Sequence, residues 1–329
     1  MIPGLDLWQS LLFIIVCILC INYIILMIRD RLTAHSVNIS GVSSFEGFET
    51  MAESSRTEVF IDEEVYDNFY ASIYNKVFQH DKLVQAEAAL VLHDWTNNTK
   101  PEDMHILDLC CGTGVASCYF AKQGISKVSA VDRSAAMLRY AKSSIMPKTT
   151  LTGEQGSAIQ WVQSDAYSPS IVDPGTVTHA CLFYFTIYHF RDIDAIFRNL
   201  SLWVKPGGHL AVEVVNKYKF EPIPDVANPW IAVSPQKYSK ERITSSKAAF
   251  DKFDYESEFN LEDPRAEFNE VFRFKDGTIR RQKHVLWMQS IAHIIARAKE
   301  AGWIYEKFTG LDMIGFNYGF MLFFVRDTS

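Results

Sequence analysis

Three aspartates, each closing a short apolar run, are the residues whose type and spacing point to chemistry. Asp108 stands inside HILDLCCGTG (105–114), Asp132 ends KVSAVD (127–132), and Asp165 follows IQWVQS (159–164). Gly112-Thr113-Gly114 then leads into an apolar segment of helical character. Glycines at such a turn let the backbone approach a ligand and present free N–H groups at a helix start. A carboxylate four residues ahead of Gly112 suits a cationic ligand, whose ammonium it can orient, and is a poor neighbour for pyrophosphate. Downstream lies FYFTIYHF (183–190), where Tyr184, Tyr188 and His189 are candidates for contact with a second reactant. By residue type His189 is the general base and Tyr188 its companion, while a loop cap bonded to backbone is the plainer reading of the histidine. Farther on, His284 and Trp287 are candidate substrate contacts, and Arg273, Arg280, Arg281 and Lys283 read mainly as a solvated charged face.

Regular elements must bring these residues together. Val65, Phe69, Ile73 and Val77 are apolar at helical spacing, with Tyr66, Tyr70 and Tyr74 alongside, and a second helix is expected over Lys82–Trp95. Strands are expected at Met104–Leu109, Lys127–Asp132, Ile159–Gln163, Val177–Phe183 and His209–Val215. Helices are expected between them at Gly114–Gln123, Ser134–Ser143 and Asp192–Leu202. That alternation specifies an α/β fold, an open, mostly parallel, doubly wound Rossmann-like sheet covered on both faces. Ligands of such sheets sit at the carboxyl ends of the strands, where the strand order reverses. After Val215 the rhythm changes. Phe253–Leu261, Glu267–Phe274 and Thr278–Trp287 alternate apolar and polar, and Asp276-Gly277 marks a hairpin between the last two. An antiparallel addition over residues 217–288 is therefore expected, followed by a helix at Ser290–Ala301 and strands at Tyr305–Thr309 and Phe320–Arg326.

Two cofactor classes use a glycine turn of this kind, dinucleotides and S-adenosyl-L-methionine. The dinucleotide fingerprint requires G-x-G-x-x-G, and here Val115, Ala116 and Ser117 follow Gly114, so the third glycine is absent. A nicotinamide-dependent oxidoreductase is thus the weaker reading. DLCCGTG instead resembles the first motif, commonly DxGxGxG, of class I S-adenosylmethionine-dependent methyltransferases, with Cys110 in place of the first glycine. VKPGGHLAVEV (204–214) is similar to that family's turn and fifth strand, and the resemblance runs from about Val65 to Arg326. It implies a seven-stranded sheet with a reversed seventh strand and S-adenosylmethionine as cofactor. It also implies that Asp108 faces the methionyl ammonium, that Cys110, Gly112 and Gly114 form the turn, and that Asp132 grips the ribose hydroxyls with Arg133 beside it. Asp165 and Ala166 would border the adenine, and Tyr66 and Tyr70 would form a lid, core packing being the equal alternative. FYFTIYHF lacks the N/D-P-P-Y/F sequence that resembling enzymes use on nucleobase or amide nitrogens, and a small-molecule or lipid-like acceptor is expected. A non-catalytic cofactor-binding scaffold is the alternative in a different class.

With 48% hydrophobic and 22% charged residues, the 329-residue chain has the composition of a globular protein with a sizeable core. Its net charge of -7 and lack of a long basic run argue against a nucleic-acid partner. The six cysteines form no disulfide framework, and Cys17-x-x-Cys20 lies in an apolar run that reads as packing, so no metal site is expected. Leu11–Ile28, LLFIIVCILCINYIILMI, contains no charge, and at a helical rise its length is about 27 Å, near the thickness of a bilayer's hydrocarbon core. A transmembrane anchor over residues 1–30 is expected, with Arg29 and Arg31 placing the bulk of the chain in the cytosol. A flexible linker over 31–60 and a methyltransferase domain over 61–329 complete the expected organisation.

Overall fold

Burial is complete along β2 (His105–Leu109) and β5 (Val177–Leu182). Strands without polar alternation are covered on both faces, the condition of the interior of a parallel sheet. Both lie at the middle of a seven-stranded sheet in the computed structural model, which describes residues 57–77, 80–220 and 244–328. Its other members are β3 (Lys127–Asp132), β4 (Ile159–Gln163), β6 (Val204–Val215), β11 (Trp303–Gly310) and β12 (Gly319–Arg326). The order is β11-β12-β6-β5-β2-β3-β4. Neighbours from β4 through β6 are parallel, and β12 is antiparallel to both β6 and β11. From β2 the chain steps outward to β3 and β4, then returns to place β5 on β2's other side. The switch point therefore lies between β2 and β5, and the ligand-binding crevice of such a sheet opens there.

Adjacent residues along β2 choose opposite layers. Ile106 joins a core with Val84, Ala88, Val91 and Leu92 of α2 (His80–Trp95) and Ala116 and Phe120 of α3 (Val115–Lys122). Leu107 and Leu109 join the opposite core, with Ile196, Phe197 and Leu200 of α6 (Ile193–Trp203) and Ile294 and Ala298 of α7 (Ile291–Glu300). Each fully buried aliphatic or aromatic side chain of this kind stabilises the fold by about 1.5–3 kcal/mol relative to exposure. Asp192 and Ser290 cap α6 and α7 by accepting the N–H of Ala195 and His293. Ser134 does the same for α4 (Ala135–Tyr140) at Met137, and Thr152 caps α5 (Gly153–Ser157).

A second sheet has the order β1-β10-β9-β8-β7, from β1 (Thr57–Ile61), β7 (Ser245–Ala249), β8 (Phe253–Glu262), β9 (Arg265–Phe274) and β10 (Ile279–Trp287). The expected antiparallel strands and the hairpin at Gly277 are present, the glycine at φ +87°. Two expectations are corrected. β1 falls inside the stretch assigned to a linker and pairs in parallel with β10, so the folded unit begins before residue 61 and the added sheet is mixed. The helix expected from Asp62 also splits, into a 3-10 turn at Asp62–Val65 and α1 (Asn68–Val77). Tyr70, Ala71 and Val77 pack with Phe253, Tyr255 and Phe272, so α1 lies against the buried face of the second sheet. Among the described residues no helix is long and apolar enough to cross a membrane, and the Leu11–Ile28 stretch lies outside them.

Candidate active site

Between β2 and α3 the backbone enters the left-handed region three times, at Cys110 (φ +60°), Gly112 (φ +53°) and Gly114 (φ +72°). Cys110 occupies the conformation that glycine adopts freely, at a cost of about 1 kcal/mol for a residue with a Cβ. A Cβ on Gly114 would lie 2.5 Å from the Trp161 ring, whereas one on Gly112 would meet nothing within 4 Å. One glycine thus closes the turn against β4, and the other leaves an open backbone surface.

Asp132 is tied to that surface. One of its carboxylate oxygens accepts the Gly112 N–H at 2.8 Å and the other the Ser134 N–H at 2.8 Å, and each keeps a lone pair for a hydroxyl donor. Burial raises its pKa, against these two N–H groups. Arg133 is exposed, pairs with Glu63 and lies 3.7 Å from Asp165. Asp165 is 45% exposed in its side chain and accepts the Tyr167 N–H, while Ala166 is buried beside it. Asp108 sits deeper, 3% exposed, and its carboxylate accepts the Ser117 hydroxyl at 2.5 Å. Burial pushes the Asp108 carboxyl up to about 6. It lies beneath the turn, on the residue standing where a dinucleotide fingerprint has its third glycine. Burial, then Asp132 and Asp108, push the Cys110 thiol well up, which makes it a packing residue and a poor thiolate.

Aromatic rings wall the space next to this turn. Tyr66 makes edge contacts with Tyr70 at 5.7 Å, His189 at 6.3 Å and His284 at 5.7 Å. Its carbonyl accepts the Ser134 hydroxyl at 2.5 Å, which joins the ring wall to the Asp132 end of the turn. Tyr70 also serves the core, donating its hydroxyl to Glu270 at 3.1 Å. Tyr184 contacts Tyr74 and His80, at 6.1 and 4.5 Å between ring centres. Tyr184 and Phe185 are both left-handed, at φ +50° and +45°, a strained pair held by the Phe185 N–H donating to Glu213 at 3.0 Å.

Two of the expected site residues stand elsewhere. Tyr188 is buried, and its hydroxyl donates to the Val215 carbonyl and accepts the Val215 N–H, so it ties the loop to the end of β6 and has no capacity left for proton transfer. Trp287 is three positions from His284, an odd step along a strand, and therefore faces the opposite side of the second sheet, where Arg191 lies over its ring at 5.1 Å. His189 does border the aromatic wall. Burial, with His284 nearby, pushes it down to about 3, and among the described residues it has no hydrogen-bond partner.

Residues that sequence reasoning passed over complete the site. Glu87 of α2 and Glu213 of β6 are both fully buried and adjacent. Burial and the neighbouring carboxyl push Glu87 well up, and burial pushes Glu213 up to about 7. Both Glu87 oxygens, one of Glu213, His80 Nδ1 and Asn75 Nδ2 have no hydrogen-bond partner among the described residues, while Asn75 Oδ1 accepts the Thr113 hydroxyl of the glycine turn. Glu213 was visible as the one charge in the apolar run LAVEVV. Glu87 was not, because its burial depends on α2 lying over β6.

S-adenosylmethionine fits this donor set. Gly112 offers open backbone, Asp132 offers anchored lone pairs to a diol, and the neighbouring rings suit a cation. Residues 106–208 match a family model described as a methyltransferase domain. The chain is 38% identical over 71 residues to protein arginine N-methyltransferase 2 of Dictyostelium discoideum, a match that spans 21% of this chain and 14% of that protein's length. Its fold is similar to the CcbJ methyltransferase of Streptomyces caelestis (TM-score 0.60, 14% identity, 81% of this chain and 100% of that one). It is also similar to an S-adenosylmethionine-dependent methyltransferase of Clostridium acetobutylicum (TM-score 0.58, 16% identity, 79% and 98%). The chain thus carries a methyltransferase domain on the fold of the S-adenosylmethionine-dependent methyltransferases.

Proposed function

We propose that the chain transfers a methyl group from S-adenosylmethionine to a small-molecule or lipid-like acceptor, and that Leu11–Ile28 tethers it to a membrane with the folded unit on the cytosolic side. The observation that carries the first part is the pairing of Gly112's open, left-handed backbone with the anchored Asp132 carboxylate at the switch point. Asp132 would hold the ribose hydroxyls, and Asp165 with Ala166 would border the adenine. The cofactor supplies an electrophilic methyl group already activated by its sulfonium, so the protein's task is alignment and exclusion of water. Tyr66, Tyr70 and Tyr184 supply apolar walls for that purpose, and Asp108, engaged by Ser117 beneath the turn, contributes negative potential. Ser117, bonded to the buried Asp108 at the position of the fingerprint's third glycine, also opposes the nicotinamide reading. Uncharged Leu11–Ile28, followed by Arg29 and Arg31, supports the tether and its orientation.

Calorimetric titration of the full chain with S-adenosylmethionine and with NAD tests the cofactor, and binding of NAD alone would overturn the proposal. Incubation with labelled S-adenosylmethionine and fractionated cell extract then identifies the acceptor class, small molecule, lipid or protein. Flotation with neutral and anionic lipid vesicles, with and without residues 1–30, tests the tether.

A further inference from the structure

Glu270 of β9 is almost fully buried and accepts four hydrogen bonds. Tyr255 Oη donates at 2.8 Å, Tyr70 Oη at 3.1 Å, Gln282 Nε2 at 2.6 Å, and His284 Nε2 lies at 2.8 Å. The direction of these bonds follows from chemistry. Arg280 Nε can only donate, and it donates to Gln282 Oε1 at 2.8 Å, so the Gln282 amide must turn its NH2 toward Glu270. Burial and Glu270 keep both tyrosines protonated, hence donors. A carboxyl facing three assured donors is a carboxylate. His284 Nε2 must therefore carry the hydrogen of that fourth bond, which leaves Nδ1 as the ring nitrogen that can present a lone pair.

That lone pair is buried and has no hydrogen-bond partner among the described residues. Around the His284 ring stand Tyr66 at 5.7 Å, Tyr70 at 6.0 Å, His189 at 6.1 Å and Phe268, stacked, at 5.6 Å. Tyr66 leads from there through Ser134 to Asp132, which places His284 on the wall of the candidate cofactor cleft. An imidazole held by a carboxylate, with its other nitrogen buried among aromatic rings and lacking a partner among the described residues, is open to a hydrogen-bond donor on a bound reactant.

We propose that His284 Nδ1 receives the proton of the methyl acceptor and that Glu270 is the positioning residue that sets its tautomer. This rests on the methyl-transfer reading above and narrows the acceptor to an amine or hydroxyl that carries X–H. As the X–C bond forms, the methyl group's bond to sulfur breaks with its electron pair left on sulfur, and the proton on X passes to Nδ1. The sulfonium's positive charge is lost and an imidazolium beside Glu270 is gained, so charge balances. Among the described residues no carboxylate is bonded to His189, which is not the base.

The test begins with nitrogen NMR of the full chain labelled at its nine histidines, with His284→Gln used to assign the signal. The expected spectrum has Nε2 protonated and Nδ1 in the lone-pair range, and Glu270→Gln is expected to move that one tautomer. The opposite tautomer in the unmodified chain overturns the proposal, and should His284→Gln fail to fold, the Glu270→Gln shift supplies the assignment. Turnover is then read with S-adenosylmethionine and a panel of small amines, phenols and alcohols. His284→Gln is expected to slow the best panel member 100-fold or more with unchanged melting temperature and cofactor affinity, and His189→Gln less than tenfold. A folded His284→Gln chain within threefold of the unmodified rate overturns it. Failure to bind S-adenosylmethionine would instead sink the methyl-transfer reading, and the tautomer measurement needs neither cofactor nor acceptor.

Discussion

Replacing Glu213 by glutamine is expected to make the protein more stable at pH 8 and to leave it nearly unchanged at pH 5. Burial in β6 raises the Glu213 carboxyl from its ordinary 4.5 to about 7, with Glu87 alongside. The folded chain thus holds a proton that the unfolded chain has released across that interval. Folding is favoured below pH 4.5, loses free energy as pH rises toward 7, and stays at the lower level above it. The interval corresponds to about 3 kcal/mol at pH 8 and less than about 1 kcal/mol at pH 5. Glutamine has nearly the same shape, carries no charge at any pH, and keeps an oxygen for the Phe185 N–H. Exchanging a charged acceptor for a neutral one there costs about 1 kcal/mol. The net expectation is a gain of about 2 kcal/mol at pH 8 that vanishes at pH 5. Urea melts of both chains at the two pH values, at equal ionic strength, read this as a shift in midpoint at unchanged slope. A variant less stable than the parent at pH 8, or equally shifted at both, would refute the assignment of Glu213 as the titrating carboxyl. A gain in stability combined with slower methyl transfer would mean that the strained Tyr184–Phe185 turn needs the charge.

Other expectations use the same cleft. Gly114→Ala forces a Cβ into the Trp161 ring at a left-handed φ and should cost about 2–4 kcal/mol in urea melts. Gly112→Ala meets open space and should cost only about 1 kcal/mol, yet it should weaken S-adenosylmethionine binding in calorimetry because the new methyl group stands on the backbone proposed to meet the cofactor. Asp132→Ala should lower that affinity tenfold or more, since it removes the acceptor proposed for both ribose hydroxyls, and unchanged affinity would show that the ribose lies elsewhere. Cys110, its thiol pushed well up by burial and neighbouring carboxylates, should react with iodoacetamide at pH 8 at less than about a tenth of a free thiol's rate, and fast labelling would contradict the packing role.

What could be read from the chain alone was whatever local chemistry determines. β2 and β5 were legible as strands from their largely apolar runs, the glycine turn announced itself through its spacing, and the Asp-Gly hairpin lay where its turn residues put it. Side-chain direction was harder, because it depends on register. His284 and Trp287 looked like a pair on one strand, but the period of two sends them to opposite faces, and only the antiparallel register with β9, which places His284 opposite Phe268, decides which face meets the cleft. Tyr188 failed as a catalytic candidate for a similar reason. The end of β6 that occupies its hydroxyl is 27 residues away in sequence.

Non-local pairing also explains why β1 is not legible as a strand in the sequence. TEVFI has the alternation of a half-buried edge strand, but its partner β10 begins at Ile279, and a single edge strand is not stable on its own. The same holds for the cleft as a whole. Tyr66, Ser134, His189, Glu270 and His284 come from five separate segments, so no motif of fixed spacing can contain them. Local motifs mark the half of the site that binds a common cofactor through backbone turns and strand ends. The half proposed to meet the acceptor is assembled from side chains on the added sheet and the helix beneath it. On the proposed reading, a change of acceptor is expected from single side-chain substitutions there, with Asp132 and the glycine turn left intact.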